Sequence, residues 1–359
     1  MATICLCMIV KNEATVIERC LGSARGLIDS WLICDTGSSD GTQEIVRAAL
    51  ADLPGELRER PWIDFGHNRT ESMRLARDAA DYLLVLDADT TVTWEPGVRE
   101  GLEADAYLLK ETAPEAAREL WIKRLLRADR DWRYVGAVHE YPASPLEERS
   151  ETLEGIVVHH HADGGSRQGR LTRDLELLER AHEREPEEPR TAFYLAQTHR
   201  DLGQPKRALE LYRRRITLGG WDEEVFYARY QAGVLEAELG DWPSALHSFL
   251  EAWEQRPQRA EPLYQLAWRL RERSRHQAAH LFAGRGLDSP QPPDILFVEP
   301  WVYRWGLLFE YSVSAYWVGQ VEQALTACER LLAMDDLPAE FREHTVRNRG
   351  FCLRASRDR

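Results

Sequence analysis

The 359-residue sequence has no apolar run approaching the ~18 residues that span a bilayer. Its opening Met1-Ala2-Thr3-Ile4-Cys5 lacks the basic flank of a signal peptide, so a cytoplasmic protein is the expectation. Cysteine is scarce: six residues, at positions 5, 7, 20, 34, 328 and 352, with no Cys-x-x-Cys pair among them. Reduced structural thiols follow, with Cys5 and Cys7 sharing one face of a buried strand. Positive charge is also short. A formal net charge of −14 opposes general nucleic-acid binding, which needs basic surface to release counterions from the polyanion.

What is present suffices for packed cores, since 43% of residues are hydrophobic and the length accommodates two domains. Short apolar runs at Ile4 to Val10, Trp31 to Cys34, Tyr82 to Leu86 and Ala106 to Leu109 read as strands. Amphipathic segments at Glu13 to Arg25, Thr42 to Leu50 and His67 to Ala79 read as helices between them. This alternation predicts an α/β domain over residues 1–165, with a largely parallel sheet covered on both faces. After Gly164-Gly165 the periodicity becomes helical, and residues 166–359 read as an all-α domain.

The helical part repeats. Ala196…Gly203…Ala208…Tyr212, Gly233…Gly240…Ala245…Phe249 and Ser312…Gly319…Ala324…Cys328 align, with Ala267…Ser274…Ala279 as a degenerate copy. The turn positions 203, 240, 274 and 319 fall 37, 34 and 45 residues apart, the last spacing enlarged by an insertion around Pro290 to Pro300. The period is close to the ~34 residues of tetratricopeptide repeats, which these segments resemble. Seven of the 12 tryptophans lie here, at 221, 242, 253, 268, 301, 305 and 317. At helical spacing most of them belong to the core, leaving one or two for a ligand.

Chemistry concentrates in the first part. The strand Tyr82 to Leu86 runs into Asp87-Ala88-Asp89, two carboxylates where a buried strand meets solvent. A hard ion such as Mg²⁺ or Mn²⁺ takes one or two such carboxylates and fills its other positions with water and phosphate oxygens. Strand one ends in Val10-Lys11-Asn12-Glu13, polar groups suited to a base or ribose. Strand two ends in Asp35-Thr36-Gly37-Ser38-Ser39-Asp40-Gly41-Thr42. Its glycines permit close backbone approach, Asp35 can accept from a ring N–H, and Asp40 suits the start of the next helix.

In this order and spacing, Met8-Ile9-Val10-Lys11-Asn12-Glu13, Asp35 to Thr42 and Leu86-Asp87-Ala88-Asp89 resemble a family 2 glycosyltransferase of the GT-A fold. The resemblance implies a nucleotide-sugar donor, commonly a UDP-sugar, and a hexosyltransferase-like transfer with inversion at the anomeric carbon. It places Asp35 on the base with Gly37 beside it, Asn12 and Glu13 beside the nucleoside, Asp87 on the ribose or metal, and Asp89 on a Mn²⁺ or Mg²⁺ bridging the diphosphate. Asp64-Phe65-Gly66-His67-Asn68-Arg69 also looks like a segment of repeat-bearing members, with Arg69 pairing Asp87 or the diphosphate. Tyr134-Val135-Gly136-Ala137-Val138-His139-Glu140 resembles the Val-His-Glu motif downstream, which makes Glu140 the catalytic base. Of His159-His160-His161, related enzymes suggest a late metal ligand, with His161 placed ahead of His159, and Arg167 is a counter-charge for the diphosphate.

A GT-A domain ending near 165 is short on its acceptor side, so the helical repeats are expected to help select the acceptor, or to bind a protein partner or a second copy. Two other readings stay open: a nucleotidyltransferase acting on a sugar phosphate, and a non-catalytic repeat scaffold. The first would carry a glycine-rich basic loop where Lys11-Asn12-Glu13-Ala14 stands. The second is disfavoured by Asp35, Asp87, Asp89 and Glu140 occurring in one chain.

Overall fold

The computed structural model describes residues 1–112, 120–164 and 170–357. They form two units, Met1–Glu185 and Pro186–Arg359. In chain order the first unit begins β1 (Ile4–Val10), α1 (Ile17–Ala24), β2 (Ser30–Asp35), α2 (Thr42–Ala49), β3 (Gly55–Glu59), α3 (Phe65–Ala76) and β4 (Tyr82–Val85). It continues through β5 (Thr90–Trp94), β6 (Ala106–Thr112), β7 (Leu120–Arg127), β8 (Arg133–Val135), β9 (Tyr141–Ala143), β10 (Ser150–His160) and α4 (Arg170–Arg184).

Eight strands make one sheet in the order β3-β2-β1-β4-β7-β6-β10-β5, while β8 and β9 pair separately. Strands β3, β2, β1 and β4 are mutually parallel, as the βαβ alternation predicts. Beyond β4 the expected parallel order gives way to a mixed sheet. Strand β7 runs antiparallel to both β4 and β6, and β10 is parallel to β6 but antiparallel to β5. Antiparallel pairing needs no crossover helix, and no helical element lies between α3 and α4 among the described residues. The edge strand β3, Gly-Glu-Leu-Arg-Glu, escapes a hydrophobicity reading because its exposed edge position tolerates charge.

The central strand is buried on both faces. Ile4, Leu6 and Met8 pack with Ile17, Leu21 and Val46 from α1 and α2. Cys5 and Cys7 face the other way, against Met73 and Ala76 of α3 and Trp132. Alternation along a strand thus serves two helical layers. All six cysteines are free and buried. Burial lifts the Cys7 thiol to about 12, which makes it a packing residue. Among the described residues, no helix is long and apolar enough to cross a membrane.

The second unit is a run of helical hairpins: α5 (Pro189–Asp201) with α6 (Pro205–Leu218), α7 (Asp222–Glu238) with α8 (Trp242–Gln255), α9 (Glu261–Glu272) with α10 (His276–Leu287), and α11 (Leu307–Trp317) with α12 (Val321–Leu332). Helix α13 (Ala339–Arg357) follows. The aligned turn residues Gly203, Gly240, Ser274 and Gly319 all have positive φ, at 72°, 87°, 56° and 84°. The serine marks the degenerate copy, holding a backbone conformation that glycine adopts more cheaply. The aligned alanines 208, 245, 279 and 324 are fully buried, where helix meets helix. At Gly233 a Cβ would stand 2.8 Å from two ring carbons of Phe249, so close approach requires glycine there. Among the tryptophans, 221 and 317 are the most exposed, at 41% and 61%; Trp253, Trp268, Trp301 and Trp305 pack into apolar clusters.

Candidate active site

Strand order places a crevice where chemistry is expected. Strands β2 and β3 lie on one side of β1 and β4 on the other, so the carboxyl ends of β1 and β4 meet at a topological switch point. A cavity of about 610 Å³ opens there, lined by Lys11, Asn12 and Glu13 after β1, Thr36 after β2, and Asp87 and Asp89 after β4. Arg69, Arg124, Glu140 and His160 complete its polar wall, with Trp62 and Phe65 as aromatic lining. The volume lies within the range of small-molecule sites, ~300–1,000 Å³.

The loops after β1 and β2 hold each other. Asn12 takes a left-handed φ of 55°, a conformation asparagine tolerates. Its backbone N–H donates to Ser38 Oγ, its side-chain Oδ1 accepts from Ser39 N, both at 2.9 Å, and Glu13 N donates to Thr42 Oγ1 at 2.8 Å. Asp40 accepts from Ala14 N and from Thr42 N at the start of α2. Gly37 has φ 105°, which lets its amide turn back to Asp35.

Asp35 is fully buried. Its Oδ1 accepts from Gly37 N and Ser38 N at 2.9 Å and from Gln43 Nε2 at 3.0 Å. Its Oδ2 is buried with no hydrogen-bond partner among the described residues. An unsatisfied buried acceptor costs about 1–3 kcal/mol. A donor group on a bound ligand would offset that cost.

Arg69 is the hub of the other side. Asp64 caps α3 by accepting from His67 N at 2.7 Å, which sets the helix register that turns Arg69 inward. Arg69 Nε donates to Glu140 Oε1 at 2.7 Å, and its terminal nitrogen pairs with Asp87 Oδ1. The other Asp87 oxygen accepts from Arg124 at 3.0 Å, and Arg124 also reaches Glu111 Oε2 at 2.8 and 2.9 Å. Burial alone would push the Asp87 carboxyl up, but the Arg69 and Arg124 guanidiniums outweigh it and hold it well below the usual carboxylate range. The close approach of α3 to the loop that carries Glu140 depends on Gly66, where a Cβ would meet Gly136 O at 2.3 Å.

Asp89 meets histidine. His160 Nε2 stands 3.2 Å from Asp89 Oδ2, and this hydrogen bond raises the His160 pKa. His161 Nε2 instead pairs with Thr91 Oγ1 at 2.8 Å, while its backbone N–H donates to the Asp89 carbonyl at 3.0 Å. His159 bonds Thr93 and Thr112. Alternation along β10 sends 159 and 161 to one face and 160 to the other, and His160 is the one lining the cavity.

Both oxygens of Asp87 are engaged by arginines, so the donors that fit a divalent ion are Asp89 and His160. Among the described residues no group of three or more His, Cys, Asp or Glu is arranged to hold a metal. Two protein donors match an ion that completes its shell with phosphate and water. Arg167 lies outside the described residues. The sequence reading missed Arg124 and His160. An arginine amid the apolar residues of β7 was the available signal for the first; strand alternation separates His160 from its neighbours but does not say which face meets Asp89, so the second had no signal in the sequence.

Residues 5–98 match the family model "Glycosyl transferase family 2", and residues 168–252 match one described as "Anaphase-promoting complex, cyclosome, subunit 3". The chain carries a family 2 glycosyltransferase domain followed by a tetratricopeptide-like helical repeat region. A "TPR repeat-containing protein" of Synechococcus elongatus is 26% identical over 274 residues, covering 71% of this chain and 67% of the relative. The "SPbeta prophage-derived glycosyltransferase SunS" of Bacillus subtilis is 23% identical over 229 residues, covering 60% of this chain and 53% of SunS. This chain thus spans about half the length of SunS. Among solved structures, the tetratricopeptide protein YrrB is similar at 14% identity and a TM-score of 0.40, over 51% of this chain and 86% of YrrB. MamA is similar at 16% identity and a TM-score of 0.38, over 50% of this chain and 93% of MamA.

Proposed function

We propose that the chain is a glycosyltransferase that moves a sugar from a nucleotide-sugar donor, a UDP-sugar, to an acceptor with inversion at the anomeric carbon. The observation that carries this reading is the convergence of Asp87 and Glu140 on Arg69 within the switch-point cavity. The orphaned Asp35 Oδ2 is the acceptor for a base N–H, which accounts for its buried cost. Asn12 and Glu13, after β1, flank the nucleoside.

In the transfer, the acceptor attacks the anomeric carbon from the face opposite the diphosphate. The bond from that carbon to the phosphate oxygen breaks, and the nucleoside diphosphate leaves with the electron pair. Glu140 takes the acceptor's proton: Arg69 holds Oε1 and so aims Oε2 at the attacking group. Arg69 and Arg124 fix Asp87, and Arg69 lies where it can exchange part of that pairing for a phosphate oxygen. A Mn²⁺ or Mg²⁺ ion held by Asp89 and His160 would supply Lewis-acid neutralisation of the leaving diphosphate. The helical repeats recruit the acceptor or a protein partner.

The test is a panel of nucleotide sugars incubated with the purified protein, read as release of nucleoside diphosphate. The expected result is slow hydrolysis of a UDP-sugar that stops with EDTA and returns with Mn²⁺. Folded protein that neither binds nor hydrolyses any member of the panel would overturn the reading.

A further inference from the structure

A second hollow, of about 390 Å³, lies where α3 meets β8 and shares no lining residue with the switch-point cavity. His67, Thr70, Glu71 and Arg74 line it at helical spacing along one face of α3, beside Gly66. Strand β8 supplies Arg133 and Tyr134. The volume again lies within the range of small-molecule sites, ~300–1,000 Å³.

The charge around this hollow is lopsided. Two guanidiniums and an imidazole stand against one carboxylate, and Glu71 Oε1 is already 3.0 Å from Arg60 Nε. Arg74 and Arg133 have no ion pair among the described residues. In the same unit Arg19, Arg25, Arg58, Arg99 and Arg130 each hold a carboxylate. In a chain of net charge −14 carboxylates are plentiful, so two unneutralised guanidiniums at one hollow stand apart from the general pattern. A guanidinium meets a phosphate through paired N–H donors, and two of them balance a dianion.

The hollow also adjoins the seam on which the active site depends. Tyr134 N donates to Thr70 Oγ1 at 2.9 Å, Thr70 Oγ1 donates to the Gly66 carbonyl at 2.6 Å, and the Arg69 guanidinium lies 5.6 Å from the centre of the Tyr134 ring. From Tyr134 the chain runs through Gly136 to Glu140, the partner of Arg69. Like charges on α3 and β8 push the two elements apart, and a dianion between them reverses the sign of that force.

We propose that this hollow binds a phosphate dianion, free or as the monoester of a small molecule, between Arg74 and Arg133, and that the bound anion tightens the α3–β8 seam that sets Arg69 against Glu140. The site does not depend on the sugar-transfer reading; its effect on turnover rests on that reading.

The test is calorimetric titration of the full chain with glycerol phosphate and with inorganic phosphate, in chloride buffer of fixed ionic strength. One saturable site is expected. Arg74→Gln and Arg133→Gln should each weaken it about tenfold or more, while Arg47→Gln, an exposed arginine of α2 outside the hollow, should bind as the unaltered chain does. Tighter binding of the monoester assigns the site to an organic phosphate, and equal binding assigns it to free phosphate. No saturable binding, or undiminished binding in both hollow variants, would overturn the proposal. Should those variants fail to fold, hydrogen exchange on the unaltered chain decides: phosphate should slow exchange at the Tyr134 amide, and unchanged protection there would overturn it. Saturating phosphate should also raise nucleoside diphosphate release severalfold in the unaltered chain, and leave Arg74→Gln and Arg133→Gln at the basal rate. Binding without that increase would overturn the effect on the seam, whereas binding by a chain that hydrolyses no donor would overturn the sugar-transfer reading and leave the site standing.

Discussion

Replacing Gly66 by alanine sets two effects of opposite sign against each other. In a helix with room for a methyl group, Gly→Ala stabilises by about 0.5–1 kcal/mol, because it removes backbone freedom from the unfolded chain. Here the new Cβ would stand 2.3 Å from the Gly136 carbonyl oxygen and 3.3 Å from that of Tyr134. Favourable non-bonded contact begins at about 3.5 Å, so α3 and the 134–136 backbone must separate by about 1 Å. Both neighbours are main chain, and no rotamer change relieves them. Overpacking of this kind costs about 1–3 kcal/mol, which outweighs the propensity gain. The loop that must retreat carries Glu140, whose Oε1 is 2.7 Å from Arg69 Nε. An extra ångström or so takes that contact beyond hydrogen-bond range, and misplacing a catalytic group by about 1 Å costs on the order of 10²-fold in rate. Gly66→Ala should therefore lower Tm by about 2–6 °C and reduce donor hydrolysis about 10²-fold, measured by calorimetry and diphosphate release. A variant with raised Tm and unchanged turnover would refute the reasoning, since helix propensity alone would then govern the site.

Glu140→Gln should bind the nucleotide sugar as before and lose transfer by ~10²–10⁴-fold, separating binding from proton removal; near-normal turnover would assign the base elsewhere. Mn²⁺ should raise the Tm of the unaltered protein, by an amount worth about 2.7 kcal/mol at a hundredfold excess over Kd, and Asp89→Ala or His160→Ala should abolish that gain. Persistence of the full shift in both variants would remove these residues from the metal site. In the repeats, burial raises Glu299 to about 7 from its ordinary 4.5. The folded state then holds the proton more tightly than the unfolded one, so ionisation costs stability as pH rises from about 4.5 through 7. Glu299→Gln keeps an oxygen for the Tyr230 hydroxyl and should add about 1–3 kcal/mol at pH 8 but little at pH 4. Equal gains in urea titrations at both pH values would contradict a titrating origin.

Local patterns were enough to identify much of this protein. Near-continuous apolar runs mark β1, β2 and β4 because a strand buried on both faces has no polar side. The turn residues 203, 240, 274 and 319 announce the hairpins because a left-handed turn restricts which residues stand there. Asp35, Asp87, Asp89 and Glu140 stand out as carboxylates at strand ends or in loops. The Arg69–Asp87 pair was among the expectations the resemblance raised, but the tertiary structure decided which other charges join it. Arg124 lies 37 residues from Asp87 along the chain and Glu140 71 residues from Arg69, and both pairs depend on where antiparallel β7 and the β8–β9 loop return to the sheet. That β4 pairs with a returning strand could not be read from periodicity, because a short apolar run is the same in either direction. His160 faces Asp89 for the same reason: a one-residue change of register along β10 would exchange it for its neighbours. Composition and spacing determine which residues can do chemistry. Pairing direction and register decide which of them share a site.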